Sequence, residues 1–201
     1  MFKKILIAAA LATPLFASAS VVFSDNFENL AAPYSTGLNW SAAGTPWTVG
    51  NGTVDLIGAG SSWNFVPAFG KYVDLDGSSG KAGVFSTTLN LNAGVTYNLT
   101  FALAGNQRGG SDAVEVLFGG AALQSFTRTS SAGFTTESIL FTPSASQAFT
   151  LSFHNLGGDN VGALLDNVSV ASVPEPQTYA LLIAGLAAMG MVSRRRKQAQ
   201  R

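Results

Sequence analysis

Apolar and polar residues alternate with a period of two through most of the chain. Tyr97, Leu99, Phe101 and Leu103 alternate with Thr96, Asn98, Thr100 and Ala102. Phe149, Leu151 and Phe153 alternate with Thr150, Ser152 and His154, and Leu164, Asp166, Val168 and Val170 alternate with Leu165, Asn167 and Ser169. Side chains on a strand point to opposite faces in turn, so each run predicts a strand with one buried and one polar face, as in antiparallel sheets. Turn chemistry falls between the runs, at Asp76-Gly77, Asn92-Ala93-Gly94, Gly109-Gly110, Gly119-Gly120 and Gly157-Gly158. About ten short strands at this spacing predict an all-β fold, two antiparallel sheets packed as a β-sandwich. Periodicity alone leaves a jelly roll and an immunoglobulin-like sandwich open; the jelly roll is the expectation.

Both ends break the pattern. Met1-Phe2-Lys3-Lys4 is basic, Ile5 to Phe16 is apolar and Ala17-Ser18-Ala19 is a small-residue cleavage site. Residues 1–19 therefore read as a secretory signal peptide, with Ser20 as the mature N-terminus. At the other end Val173-Pro174-Glu175-Pro176 precedes an apolar run from Tyr179 to Val192 and then Arg194-Arg195-Arg196-Lys197. This order predicts a C-terminal hydrophobic, transmembrane helix over about 178–193 and a basic cytoplasmic end at 194–201, because positive charge beside a span resists translocation. The apolar run of 14 residues would extend only about 21 Å as a helix, short of a ~30 Å hydrocarbon core, which suits transient anchoring. The two prolines disfavour helix at Val173 and Glu175 and keep the hinge extended. Three segments result: 1–19, a β-sandwich ectodomain at 20–172 and a tail at 173–201.

The succession of Pro-Glu-Pro, hydrophobic helix and arginine cluster resembles the PEP-CTERM sorting signal of bacterial surface proteins. That resemblance implies an exosortase-type membrane protease as partner, cutting near Pro174-Glu175-Pro176. It also implies a membrane-anchored precursor that becomes a cell-surface or extracellular protein.

Charge narrows the ectodomain's role. Only Lys71, Lys81, Arg108 and Arg128 stand against ten carboxylates between Ser20 and Val173, a formal charge of −6. Such a domain is a poor polyanion binder, which argues against nucleic acid. There is no cysteine, so thiol catalysis and thiolate metal sites are excluded and the core must hold the domain without disulfides.

Catalytic chemistry finds little support. His154 is the single histidine, and no Gly-x-Ser-x-Gly elbow accompanies it. Glu115 and Glu137 are the glutamates on predicted strands, where solvated sheet positions explain them. Sugar binding is better supplied. Trp40, Trp47 and Trp63 cluster in sequence, and Asn106, Gln107 and Arg108 offer planar polar groups on a loop. Each tryptophan has two readings, a platform for a sugar ring or a ring capping the core. Asp74 and Asp76 resemble a fragment of a calcium loop without its distal glutamate, so turn residues are the expectation.

Two stretches carry a second resemblance: Phe101 to Gly109 with Ala113-Val114-Glu115-Val116, and Gly157 to Val170. With Phe23 to Glu28, they look like segments of the ectodomains attached to PEP-CTERM tails. Those ectodomains are similar to carbohydrate-binding jelly rolls of the galactose-binding-like group. The resemblance implies a structural calcium between the first and last strands, with Asp25, Glu28 and Asp166 as the ligands here. Asp166 shares a predicted face with Leu164, Val168 and Val170, where a buried carboxylate needs a partner.

The sequence thus describes a non-enzymatic exported protein that binds extracellular polysaccharide or builds the biofilm matrix; a secreted polysaccharide-active hydrolase is the alternative. Intact mass of the surface-released protein checks the tail: in a host with the matching exosortase the mature form should end near Pro174-Glu175-Pro176. A mature form still ending at Arg201, or normal processing after all three are changed to alanine, would contradict it.

Overall fold

The computed structural model describes residues 19–31, 37–174 and 182–190. Residues 1–18 of the expected signal peptide, Glu175 and Pro176 of the sorting motif, and Arg194, Arg195 and Arg196 lie outside the described residues. In the tail, 182–190 are helical. No helix among the described residues is long and apolar enough to cross a membrane.

Ser20–Val173 is a compact unit in its own right. It holds eleven described strands: β1 (Val21–Asp25), β2 (Trp47–Gly50), β3 (Asp55–Gly58), β4 (Lys71–Asp74), β5 (Val84–Leu91), β6 (Tyr97–Ala104), β7 (Ser111–Phe118), β8 (Ala121–Thr129), β9 (Thr135–Phe141), β10 (Gln147–Asn155) and β11 (Leu164–Ser172). One sheet runs β3-β4-β11-β6-β9, with β1 also on β11; the other runs β2-β5-β10-β7-β8. All strand pairs are antiparallel. The all-β two-sheet sandwich expected from the period-two runs is the observed architecture. Gly119 and Gly120, both at positive φ, make the two-residue hairpin between β7 and β8, a turn that demands residues free of a Cβ clash.

The inner faces of the two sheets meet in one aromatic-rich core. Trp47 stacks on Phe85 with ring centroids 4.1 Å apart, and Phe101 meets Phe153 edge-on at 5.2 Å. A second, smaller cluster forms among Ile57, Tyr72, Ala104 and Leu164, covered by Leu38, Phe65, Val66 and Phe134. β3 is consequently buried on both sides: Leu56 joins the main core and Ile57 the smaller cluster. Neighbouring strand residues face opposite ways, so the smaller cluster marks the outer face of the six-stranded sheet.

The alternation expected in β11 does not hold. Leu165, Val168 and Val170 enter the main core, whereas Leu164 joins the outer cluster. A register shift between Asp166 and Ser169, with Asn167 at φ 51°, moves the strand by one residue. Asp166 therefore faces away from Val168 and Val170, on the outer side of the sheet.

Because Phe101 is fully buried against Phe126 and Phe153, Phe101→Ala should cost about 3–5 kcal/mol. Urea unfolding of Ser20–Val173, followed by far-ultraviolet circular dichroism, measures this. A helix-dominated spectrum, or a loss under about 1 kcal/mol, would be incompatible with this core.

Candidate functional site

β3 and β4 place Asp55 directly opposite Asp74, and Ile57 opposite Tyr72. On the outer face, Asp55, Ile57 and Asp74 form the floor of a cleft of about 190 Å³. Its walls come from the loops: Leu38, Trp63 and Phe65, Ser78, Arg108, and Asn160.

Tyr72 holds the aromatic wall. Its buried hydroxyl accepts hydrogen bonds from Phe65 N at 2.7 Å and Val66 N at 3.0 Å. Burial pushes its ionisation up, against the two backbone bonds that favour the phenolate. Trp63 then packs 6.2 Å from Phe65 and stays 44% exposed. The opposite wall depends on Asp74. Its Oδ1 accepts from Asp76 N and Gly162 N, both at 3.0 Å, and its Oδ2 pairs with the Arg108 guanidinium. A Cβ on Gly162 would lie 2.5 Å from Asp74 Oδ1, so only glycine allows this approach. Arg108 also donates to Asn160 O at 2.7 Å and lies over the Phe65 ring at 4.9 Å. Asp55 accepts from Asn39 N, Ser78 N and Ser78 Oγ.

Asp74 is almost wholly buried. Desolvation raises its pKa well above the ordinary carboxylate value, with Arg108 the chief opposing influence and Asp55 and Asp76 adding repulsion. Asp76 is fully buried and also raised by burial; its Oδ2 accepts from Asp159 N, while its Oδ1 has no hydrogen-bond partner among the described residues. These two aspartates anchor the loop before β11 and are more than turn residues.

Two of the tryptophans expected to offer a sugar platform do not. Trp40 and Trp47 are 4% and 2% exposed inside the main core, and the Trp47 indole donates to Asp25 Oδ2 at 2.9 Å. Large rings in a sandwich bury more area between the sheets than on a surface. Asn106 is also buried, its amide holding Gly109 O and Asp112 and its oxygen receiving Arg108 N. Gln107 bonds the Gly105 and Ala132 carbonyls. Both shape the loop that delivers Arg108. Of the six expected residues, Trp63 and Arg108 meet in the cleft. Asp55, Asp74 and Asn160 were not singled out as ligand residues; the apolar residues at consecutive positions in β3 and β4 were the available sign that both faces are covered.

Of the three expected calcium ligands, Asp25 and Glu28 lie near enough to repel Asp166. Asp166 is 2% exposed, and its pKa is raised to about 6 by burial first, with Glu28 and Asp25 adding to the rise and the Asn167 amide opposing it. The donors are hard oxygens of the kind calcium takes. Yet Asp166 accepts from Asn167 N and Nδ2, Asp25 from Phe27 N and Trp47, and Glu28 from Lys71 N. Among the described residues no group of three or more His, Cys, Asp or Glu side chains is gathered as a metal cage. Beside them lies a polar depression of about 470 Å³ walled by Asn26, Asn29 and Asn167. It is larger than the cleft but offers no aromatic surface.

Comparison with known folds supports the architecture. The xylan-binding CBM22-1 domain of Paenibacillus barcinonensis Xyn10C superposes with a TM-score of 0.52 at 9% identity, covering 80% of this chain and 99% of that one. The K3 cleaved adhesin domain of Lys-gingipain from Porphyromonas gingivalis gives 0.51 at 15% identity, over 77% and 99%. At such identities the likeness is one of fold. No curated protein sequence matches the chain. The PEP-CTERM protein-sorting motif matches residues 172–197, which implies export and cell-surface sorting with exosortase processing. Residues 22–171 match the model described as protein of unknown function (DUF642), and the chain belongs to that family.

Proposed function

We propose that the ectodomain is a non-catalytic glycan-binding module of the cell surface or extracellular matrix, and that it binds through the cleft of Trp63, Phe65 and Arg108. The observation that carries this reading is the exposed Trp63 ring beside a floor of hydrogen-bonding groups. An aromatic face packs against sugar C–H groups while planar polar groups fix the hydroxyls. The xylan-binding domain of like fold makes extracellular polysaccharide the class to test first.

One observation favours the hydrolase alternative: Asp55 and Asp74 stand opposite each other in the cleft, and Asp74 is raised, as a general acid would be. Against it, every carboxylate oxygen of the pair already bonds a backbone amide, a hydroxyl or Arg108. Glu115 and Glu137 lie on different sheets, and Glu137 pairs with Arg128. Binding of Ser20–Val173 to immobilised xylan, cellulose and bacterial exopolysaccharide, with reducing ends assayed in parallel, tests both readings. Trp63→Ala should weaken retention about tenfold or more with no sugar released. Retention unchanged by Trp63→Ala would refute the cleft; release that disappears in Asp74→Asn would establish the hydrolase.

A structural calcium at Asp25, Glu28 and Asp166 is the companion proposal, supported by the repulsion these carboxylates impose on Asp166. With its folded pKa raised, Asp166 imposes no penalty below the unfolded value; the penalty grows as pH rises through about 6 and is complete above. In chelator at neutral pH, Asp166→Asn should stabilise the domain by on the order of 2 kcal/mol, and the gain should vanish in acid. Calcium should raise the melting temperature of the parent but not of the variant. An equal calcium shift in both would remove the site.

A further inference from the structure

Several loops wall the cleft, and contacts link most of them to one another or to its floor. Leu38 and Phe65 both pack on the Ile57 cluster, which joins the first loop to the aromatic wall. Phe65 meets the Arg108 guanidinium, and Arg108 bonds the Asn160 carbonyl. Asn160 closes on the loop after β4, where a Cβ on Gly80 would lie 3.3 Å from Asn160 Oδ1. That loop returns to the floor through Ser78 and Asp55, and Asp55 takes Asn39 N beside Leu38. The floor is a continuous pair of strands, with Asp55, Ile57 and Asp74 all buried.

A small depression with a closed floor and walls from several loops favours entry from above. A polymer crossing a binding site needs an entrance and an exit; a chain end needs only a mouth. The volume of about 190 Å³ lies below the ~300–1,000 Å³ that drug-sized ligands occupy, which suits a single sugar ring. The charges select further. The one cation in the lining, Arg108, already faces Asp74 and the Asn160 carbonyl, and Asp55 adds a second carboxylate. Among the described lining residues no unmatched positive group remains for a uronate or a sulfate, whereas neutral hydroxyls can donate to the carboxylates and accept from Arg108. On these grounds, and resting on the glycan-binding reading above, we infer that the cleft takes one neutral sugar residue at a chain end or branch tip, and does not bind chain interiors or acidic sugars.

The test is titration calorimetry on Ser20–Val173 with glucose, galactose, mannose and xylose, the corresponding uronic acids, and linear di- to hexasaccharides of whichever neutral sugar binds. The expected result is a molar affinity constant within about threefold from monosaccharide to hexasaccharide, since one end fills one mouth. The uronic acid should bind at least about tenfold more weakly, and Trp63→Ala should abolish the heat while leaving the circular dichroism unchanged. Affinity that climbs with chain length but still depends on Trp63 would overturn this inference and leave the glycan-binding reading standing. So would a uronic acid that binds more tightly than its neutral counterpart. Glycan binding indifferent to Trp63→Ala, or no heat with any sugar, would overturn both.

Discussion

Asp74 is a carboxylate that the fold has taken out of water, and the outer layer of the molecule is organised around keeping it matched. A buried anion without partners would cost several kcal/mol. Two backbone amides and one guanidinium satisfy it, and each belongs to a different stretch of chain: the loop after β4, the loop before β11 and the loop between β6 and β7. Removing the carboxylate would release all three. Arg108 multiplies the effect, because the same guanidinium holds Asn160 O and lies over Phe65. The cleft is thus shaped by interactions internal to the fold, and preorganisation of this kind would lower the ordering cost of the proposed binding.

Tyr72 does the same for the aromatic wall by other means. It is fully buried, yet its hydroxyl meets two backbone amides of the loop that carries Trp63. The ring anchors in the outer hydrophobic cluster and the oxygen organises polar backbone that would otherwise be orphaned. An apolar patch and a polar network therefore share one side chain. That is how a loop of small and aromatic residues between β3 and β4 gains a fixed conformation while leaving Trp63 exposed.

The sandwich was legible because period two is a strong signal: β5, β6, β7 and β10 each bury alternate residues in at least part of their length. The glycine pairs marked turns for a physical reason, as Gly119 and Gly120 adopt positive φ. The tail was legible because its three parts are contiguous in sequence. The site was legible only in fragments. Trp63 and Arg108 are distant in sequence; Phe65 touches both, and Arg108 is held there by Asp74, which by sequence alone looked like a turn residue. Trp40 and Trp47 have the same composition signal as Trp63, but sheet packing drew them inward. The Asp166 face was misread because a one-residue bulge at Asn167 inverts every assignment beyond it, and nothing in Leu164-Leu165-Asp166-Asn167-Val168 announces the bulge except an asparagine, a residue that tolerates positive φ.

β11 relates the cleft to the rest of the chain. Its first residue, Leu164, pairs with Asp74 and Ala104 at the cleft end of the sheet. Its last, Ser172, pairs with Tyr97 and bonds Ser20 O at 2.9 Å, so both termini of the sandwich are zipped together at the other end. Val173 N makes one more bond, to Thr96 O at 2.8 Å. Pro174 then follows, with no N–H to donate, so the ladder cannot continue: the residue that opens the sorting motif is also the one that ends the fold. A strand of nine residues separates this point from the cleft by about 26 Å. The chain therefore leaves the sandwich at the end remote from Trp63 and Arg108.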